Sequence, residues 1–380
     1  METTFQTILF EHAYAEVFGF DNGSDVKEYH VMVHAESPTM DCDAQVGAVC
    51  DALRCVRATA AEGAKTVFKR YFLSDAANQA AAVNRCDDGE GACSIIQQAP
   101  LDGTKIALWA YLLTNVETAK NDDFIEVSHG AFRHLWCASC HTEEGDAYAQ
   151  TRQLLDRYVA QLGQRGCRLA DHAIRTWFFV NDIDLNYGGL VKARNDVFDQ
   201  QGLTRATHYV ASTGIAGRQE RPRVLVQMDA YAIAGIGREQ VGYLYAPTHL
   251  NRTSDYGVSF ERGTMVNYAD RRHVFISGTA SIDNRGQIVH AGNIVKQAAR
   301  MIENVETLLR EGGASFADVG AIIVYLRDVA DYRVVREVCT ERFPDKPLVI
   351  VNAAVCRPGW LVEMECMAAV KQEVQGLPHF

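Results

Sequence analysis

The sequence predicts an α+β fold in which one β-β-α-β-α-β-β unit occurs three times along a chain of 380 residues. Two observations predict it. Strand and helix signals recur in the same order three times, and each set contains a strand that ends in an apolar residue, any residue and Asp. These marks are Leu73-Ser74-Asp75, Val180-Asn181-Asp182 and Leu326-Arg327-Asp328. Helices would cover one face of each sheet, so three units can bury their other faces against one another as a pseudo-trimer.

The third copy, residues 264–380, shows the unit most clearly. Residues 273–278 predict a strand, and a turn-forming stretch follows it. Apolar side chains in residues 294–309 recur with a 3.6-residue period, which predicts a helix, and Gly312-Gly313 ends that helix. The later elements are a strand at 322–326, a helix at 332–343 and a closing pair of strands.

The second copy, residues 126–236, follows the same plan, and the first copy, residues 1–125, diverges more. In the second copy the predicted elements are a helix at 148–162, a strand at 174–180, a helix at 190–198 and a strand at 224–230. In the first they are a helix at 46–61, a strand at 67–73 and a strand at 106–111. The segment 237–263 matches no repeat and is predicted to be a linker or insertion.

Composition indicates a folded cytoplasmic protein. Hydrophobic residues make up 48% of the chain and charged residues 22%. A net charge of -11 argues against binding to nucleic acid or to an anionic membrane surface. No apolar run approaches the ~20 residues that span a bilayer, and the first residues lack the pattern of an export signal. The 11 cysteines are therefore expected to be reduced thiols.

The last predicted strand carries two carboxylates on one face. With a period of two, Glu363 and Glu365 point to one side, and Val362, Met364 and Cys366 point to the other. Glu is a poor strand former and is rarely buried without a partner, which favours a functional surface. The alternative is an edge strand that carries solubilising charge.

The third copy resembles the RidA (YjgF) superfamily, whose members are also labelled endoribonuclease L-PSP or translation inhibitor. The similar stretches are Ile276-Ser277-Gly278, Gly286-Gln287-Ile288-Val289, Glu303-Asn304-Val305, Gly312-Gly313-Ala314 and Leu361-Val362-Glu363-Met364-Glu365. The resemblance implies RidA-like (chorismate mutase-like) units that form trimers with ligand sites in the clefts between subunits. One chain here would then replace a whole trimer, as a monomer or a low-order homo-oligomer.

Other stretches resemble the chorismatases, which elaborate the same fold. They are Arg175-Thr176-Trp177, the run from Tyr256 to Arg262, the run from Phe275 to Ser281, and Cys356-Arg357 ahead of the glutamate strand. This resemblance implies a hydrolase or lyase that acts, without metal or cofactor, on a small carboxylated metabolite, a cyclic one included. The site would lie in the cleft between copies two and three.

Candidate catalytic groups follow from the chemistry that such a substrate needs. Glu363 is the expected general acid or base, with a pKa raised by burial or by Glu365. Arg357 is expected to act beside it, and Arg262 and Arg175 are candidate clamps because a guanidinium binds a carboxylate bidentately. For each Arg taken alone, a surface salt bridge is the alternative.

Five further residues are candidate substrate contacts. Ser277 and Thr279 alternate onto one face of their strand, Cys356 precedes the candidate Arg, and His208 and Tyr209 precede the end of copy two. A polar sheet face that meets a neighbouring unit would explain the first two equally, and loop polarity would explain the last two.

Two other functions stay open. The first is that of an enamine or imine deaminase, because the broader family hydrolyses enamines and imines with an Arg shortly before the final strand. The equivalent stretch of copy three runs from Pro347 to Arg357, in which Val349 gives no clamp and Arg357 could serve as one. Copy two has Ala211-Ser212-Thr213, without an Arg. The second is a metabolite-binding protein without catalysis.

The sequence favours neither a haem nor a metal site. Cys137-Ala138-Ser139-Cys140-His141 matches the haem c attachment pattern but lies in a chain without an export signal. A zinc site would need a second pair of ligands at metal spacing, and none is evident.

Overall fold

The computed structural model describes residues 3–380, and its named strands form three six-stranded sheets. All three sheets have the same topology. Three successive antiparallel strands come first, the last strand of the unit lies beside the third, and the fourth and fifth strands follow it. The α+β fold of three repeated units is therefore confirmed. The first two residues of the predicted first unit lie outside the described residues.

Each unit contributes two main helices. Unit 1 comprises β1 (Thr3–Phe10), β2 (Ala13–Phe20), β3 (Glu28–Ala35), α1 (Cys42–Ala58), β4 (Ala64–Leu73), α2 (Ala76–Cys86), β5 (Ala92–Gln97) and β6 (Ile106–Thr114). Unit 2 comprises β7 (Glu117–Asn121), β8 (Phe124–His129), β9 (Phe132–His141), α3 (Ala147–Gln164), the short α4 (Leu169–His172), β10 (Ala173–Val180), α5 (Ile183–Gln200), β11 (Ala211–Ala216) and β12 (Val226–Ala234). Unit 3 comprises β13 (Val241–Leu244), β14 (Gly263–Asn267), β15 (Arg271–Ala280), α6 (Ile294–Glu311), β16 (Val319–Leu326), α7 (Tyr332–Arg342), β17 (Leu348–Asn352) and β18 (Val362–Lys371).

The sheets place the unit boundaries differently from the sequence. β7 and β8 form the hairpin that opens the second sheet, so the predicted boundary at residue 125 falls inside that hairpin. All five residues of β7 are exposed, and such an edge strand lacks the apolar alternation by which a strand is recognised. The predicted linker 237–263 likewise contains β13, the short edge strand of the third sheet.

The inner faces of the three sheets pack against one another around a shared aromatic core. Phe68 and Trp109 of unit 1 meet Trp136 and Trp177 of unit 2, with Phe68 ring centroids 5.2–6.0 Å from the three tryptophans. Isolated β-bridges join each pair of units at their rims: Gln97 to Arg218, Ile215 to Val355, and Pro100 to Val351. The three units therefore close into a ring.

The glutamate strand is not at an edge. β18 lies between β15 and β16 at the centre of its sheet. Glu363 and Glu365 share the inner face, and each residue is about one-twentieth exposed. The alternative of a charged edge strand is therefore wrong, and both carboxylates must be accommodated inside the protein. No helix within residues 3–380 has the length and apolar character to cross a membrane.

Candidate active site

A cavity of about 480 Å³ lies between units 2 and 3. Unit 2 supplies α5 and β11 to its wall. Unit 3 supplies β15, β18 and the segment that precedes β14. Of the residues predicted for the site, Glu363, Arg357, Arg262 and Cys356 line this cavity. Substrate contact by these residues remains a prediction.

Glu363 lies at the floor of the cavity beside Gly278. A side chain at position 278 would collide with the Glu363 carboxyl group, so glycine is what leaves room for it. Within residues 3–380, Glu363 has neither a hydrogen-bond partner nor an ion-pair partner. Burial, and then the negative charge of Glu365, raise the pKa of Glu363 to about 8, and Arg262 acts in the opposite direction. Glu363 is therefore a protonated acid at neutral pH.

Arg357 is held by aromatic rings. Its guanidinium carbon lies 4.5 Å from the centroid of Tyr256 and 4.8 Å from that of Trp360. Within the described chain no carboxylate lies at ion-pair distance from it. Cation–π contact on both sides orients the group and leaves its N–H donors free for an anion.

Arg262 reaches the same cavity from the end of the segment before β14. It is buried, and its guanidinium donates to the backbone oxygen of Asn251 at 3.3–3.4 Å and to the side-chain oxygen of Asn251 at 3.2 Å. These partners are neutral, so its positive charge is not compensated by an ion pair within residues 3–380.

Arg194 on α5 is a cavity residue that the sequence analysis missed. Its residue exposure is 1%, and its buried Nε and Nη2 atoms have no hydrogen-bond partner. Its position in the sequence could have indicated that it is buried. Arg194 lies four residues after Leu190 and four before Phe198, within the apolar stripe that buries α5.

The Cys356 thiol lines the cavity without being a nucleophile. Burial, and then the negative charge of Glu363, raise the pKa of the Cys356 thiol to about 12. The thiolate is the reactive form of cysteine, so this side chain stays neutral at physiological pH.

Arg175 does not line the cavity. It lies in the core of the ring, where its Nη2 donates to Glu365 Oε2 at 2.7 Å. Glu365 also accepts hydrogen bonds from Trp177 Nε1 at 2.9 Å and from the Tyr325 hydroxyl at 3.0 Å. Arg175 thus forms an ion pair between units 2 and 3, and its role as a clamp stays a prediction.

Ser277 and Thr279 also lie outside the cavity wall. The Ser277 hydroxyl accepts from the Ser212 amide at 2.9 Å and donates to the Glu261 carbonyl at 2.7 Å. The Thr279 hydroxyl donates to the Ser277 carbonyl at 2.9 Å. A β-bulge between Ile276 and Thr279 breaks the regular alternation of this strand. The Ser277 hydroxyl therefore links units 2 and 3, whereas the Thr279 hydroxyl bonds within its own strand, and substrate contact by either residue stays a prediction.

His208 and Tyr209 lie away from Glu363 as well. The His208 ring stacks on Tyr243 at 4.3 Å, and Tyr209 faces an outer pocket. Residues 3–380 contain no group of three or more His, Cys, Asp or Glu side chains arranged to hold a metal ion. Cys137 is buried in β9 and has a free thiol.

Comparison with known proteins finds a family that matches unit 3 and a solved structure that shares the fold of most of the chain. The family model described as Endoribonuclease L-PSP matches residues 264–370. A RutC family protein of Pyrococcus abyssi is 39% identical over 98 residues, which are 25% of this chain and 76% of that protein. A 3-hydroxybenzoate synthase of Streptomyces hygroscopicus is 28% identical over 215 residues, which are 50% of this chain and 62% of that protein. The chain thus spans less than two thirds of the synthase.

A solved structure extends the comparison to the whole fold. The crystal structure of a chorismatase superposes with a TM-score of 0.62 at 20% identity, and it covers 80% of this chain and 93% of its own. At that identity the match shows a shared fold. The chain therefore belongs to the RidA/YjgF (endoribonuclease L-PSP) superfamily and has the fold of its chorismatase branch.

Proposed function

We propose that the protein is a cofactor-independent hydrolase or lyase of the chorismatase type, which acts on a small dicarboxylate in the cavity between units 2 and 3. The observation that carries this proposal is the pairing of one buried carboxyl without a partner, Glu363, with three guanidinium groups that lack a carboxylate partner in residues 3–380. They are Arg194, Arg262 and Arg357.

The charge of the cavity supports an anionic substrate. A buried cation without a counter-ion is costly, and a bound carboxylate would supply the missing charge and accept the free N–H donors. Three such cations exceed what one carboxylate can satisfy, which favours a dianion. The rings of Tyr256, Phe260 and Trp360 leave an apolar wall between the charges. That wall suits a cyclic carbon skeleton, and the volume suits a small metabolite.

The chemistry assigned to Glu363 is proton donation. For an enol-ether side group, the acid gives its proton to the terminal carbon, and the carbon bonded to oxygen becomes electrophilic. Water adds to that carbon and gives one proton back to the Glu363 carboxylate, which leaves a hemiketal. The hemiketal then breaks its bond to the ether oxygen, which takes the remaining hydroxyl proton, so that a ring alcohol and pyruvate are released. Arg357 would hold the side group's carboxylate during these steps. General acid catalysis of this kind contributes about 10²–10⁴-fold in rate.

Chorismate is the first substrate to test, because the name of the matched chorismatase points to it and it is a cyclic dicarboxylate with an enol ether. Pyruvate release is followed for the wild type, for Glu363→Gln and for Glu341→Gln, which changes an exposed glutamate. We expect turnover by the wild type and the control, and a loss of about 10²–10⁴-fold in kcat for Glu363→Gln. Equal turnover by all three would refute the role of Glu363.

A deaminase of enamines is the second candidate, favoured by the similarity of 25% of the chain to a RutC family protein. The position of the family's clamp weighs against it. β17 borders unit 1, so Val349 belongs to the cleft between units 3 and 1. The equivalent position on β11, the strand that borders the cavity, is Thr213. It pairs with Trp177 in the register in which Val349 pairs with Ile323. We expect no ammonia from freshly generated 2-aminoacrylate. A bound metabolite recovered unchanged would instead support binding without catalysis.

A further inference from the structure

One segment of unit 3 covers the candidate cavity. Residues 253–260, which we call the strap, begin with the 3-10 turn Thr253–Tyr256 and run across α5 of unit 2 toward β14. Tyr256, Gly257, Val258 and Phe260 line the cavity on the inner side of the strap. On its outer side lies a second pocket of about 680 Å³, which also contacts Gly257 and Val258. The strap is thus a thin wall between the cavity and an outer pocket.

Asn195 on α5 ties this wall down. Its Nδ2 donates to the Gly257 carbonyl at 3.0 Å, and its Oδ1 accepts from the Ser259 hydroxyl at 2.7 Å. One amide side chain therefore holds the strap at two points, on both sides of Val258. A further link, between Arg205 and Asp255 at 2.9 Å, is solvent-exposed and contributes little.

The strap has the local features of a segment that can lift as a unit. The Thr253 hydroxyl donates to the Phe260 carbonyl and accepts from the Phe260 amide, which closes the strap on itself. Gly257 has a φ of +82° and open space around it, so the backbone can change there without a side chain in the way. Breaking the two Asn195 contacts would leave this internal bond intact.

Closure of the strap also completes the cation site. Tyr256 supplies one of the two rings that sandwich Arg357, and the other ring, Trp360, lies outside the strap. With the strap lifted, Arg357 would keep Trp360 alone and the cavity would join the outer pocket. The closed strap thus both shuts the cavity and orients Arg357.

We infer that the strap is a lid through which the substrate enters, and that Asn195 is the positioning residue that latches it shut over Arg357. The identity of the ligand, though not the lid itself, rests on the proposed function. Lid motion of this kind commits a bound substrate and shields the reaction from water.

The latch is tested on the full chain with Asn195→Ala and a matched control, Asn186→Ala. Asn186 lies on the same helix but makes no hydrogen bond to the strap. Its side-chain amide donates to the backbone carbonyl of Asn181 at 2.7 Å. Hydrogen exchange of the strap amides and acrylamide quenching of Trp360 report opening without any ligand. Because two hydrogen bonds are lost, we expect exchange in residues 253–259 to rise about fivefold or more in Asn195→Ala. Ser259→Ala, which removes one bond, should give an intermediate rise.

The control should match the wild type in both measurements. Equal exchange and equal quenching in Asn195→Ala and Asn186→Ala would overturn the proposal of a lid. Exchange that rises as much in α3 as in the strap would also overturn it, because it would show general destabilisation instead of local opening. Isophthalate, a ring with two carboxylates, then serves as the ligand probe, and its dissociation should be faster from Asn195→Ala. If isophthalate does not bind the wild type, the dicarboxylate proposal fails, and the ligand-free measurements still decide the lid.

Discussion

The cleft between units 2 and 3 and the cleft between units 1 and 2 are built by equivalent strands, and they differ in what fills them. Val362 pairs with Leu326 as Val226 pairs with Val180, so Gln227 occupies in unit 2 the position of Glu363. The β-bulge of each unit likewise places Ser139 where unit 3 has Gly278.

In the cleft between units 1 and 2 the polar side chains form hydrogen bonds across the two units. The Ser139 hydroxyl accepts from the Ile95 amide at 3.1 Å, and Gln227 Nε2 donates to the Ile95 carbonyl at 3.3 Å. In the cleft between units 2 and 3, glycine replaces the serine and an acid without a partner replaces the amide. The candidate active site thus differs from the equivalent cleft by one absent side chain and one unpaired carboxyl.

The first prediction contrasts the two glutamates of β18 and concerns the largest effect. Glu365→Gln leaves Arg175 buried without its counter-ion, and removal of one partner of a buried pair costs about 3–5 kcal/mol in the free energy of unfolding. Glu363→Gln removes no ion pair. Urea unfolding of both variants should show a large loss for Glu365→Gln and little change for Glu363→Gln. Equal losses would mean that Glu363 also has a structural partner.

The same contrast shows which parts of the site a sequence can predict. The period of two placed Glu363 and Glu365 on one face correctly, because strand geometry is local. It did not separate their roles, since the partner of Glu365 is Arg175, 190 residues away in another unit. For the same reason the ion pair of Arg175 with Glu365 could not be predicted. The three-unit fold was predictable because periodicity and turn residues are local, whereas the polar strand β7 offered no such pattern.

The second prediction gives the cleft between units 2 and 3 the serine that the cleft between units 1 and 2 has at the equivalent position. Gly278→Ser places a side chain where the Glu363 carboxyl now lies, and that carboxyl is the flexible end of a side chain that can move aside. We expect kcat to fall about 100-fold because the acid is displaced, while the free energy of unfolding falls by only about 1–3 kcal/mol. Gly163→Ser is the control, since a Cβ there meets nothing within 4 Å. Unchanged kcat in Gly278→Ser would show that Glu363 takes no part in the reaction.

The third prediction concerns the pH dependence of the proposed reaction. Glu363 must be protonated to act as an acid, and its pKa is raised to about 8 by burial and then by Glu365. The rate should therefore be constant below pH 8 and fall about tenfold per pH unit above it. The kcat profile between pH 6 and pH 10 measures this. A rate that does not fall between pH 8 and pH 10 would show that the ionised form of Glu363 is not the inactive one.

The smallest expected effect lies in the third cleft, between units 3 and 1, which is closed by charge. His34 is buried there, with Nε2 at 3.7 Å from Glu16 and Nδ1 at 3.6 Å from Asp102. Glu16 also accepts from the Leu348 amide of unit 3 at 2.9 Å, which links the group to the neighbouring unit. Burial lowers the pKa of His34, but Asp102 and Glu16 outweigh burial and raise that pKa to about 9.

A folded-state pKa above that of the unfolded chain means that the charged His34 stabilises the fold fully below about pH 6.5 and that this stabilisation is lost as the pH rises through 9. We expect His34→Gln to lower the free energy of unfolding by about 1–2 kcal/mol at pH 6 and by much less at pH 10. His379→Gln, at an exposed histidine 3.8 Å from Asp270, is the matched control and should show no such trend. A difference between wild type and His34→Gln that does not change with pH would mean that packing against Tyr14, rather than charge, closes this cleft.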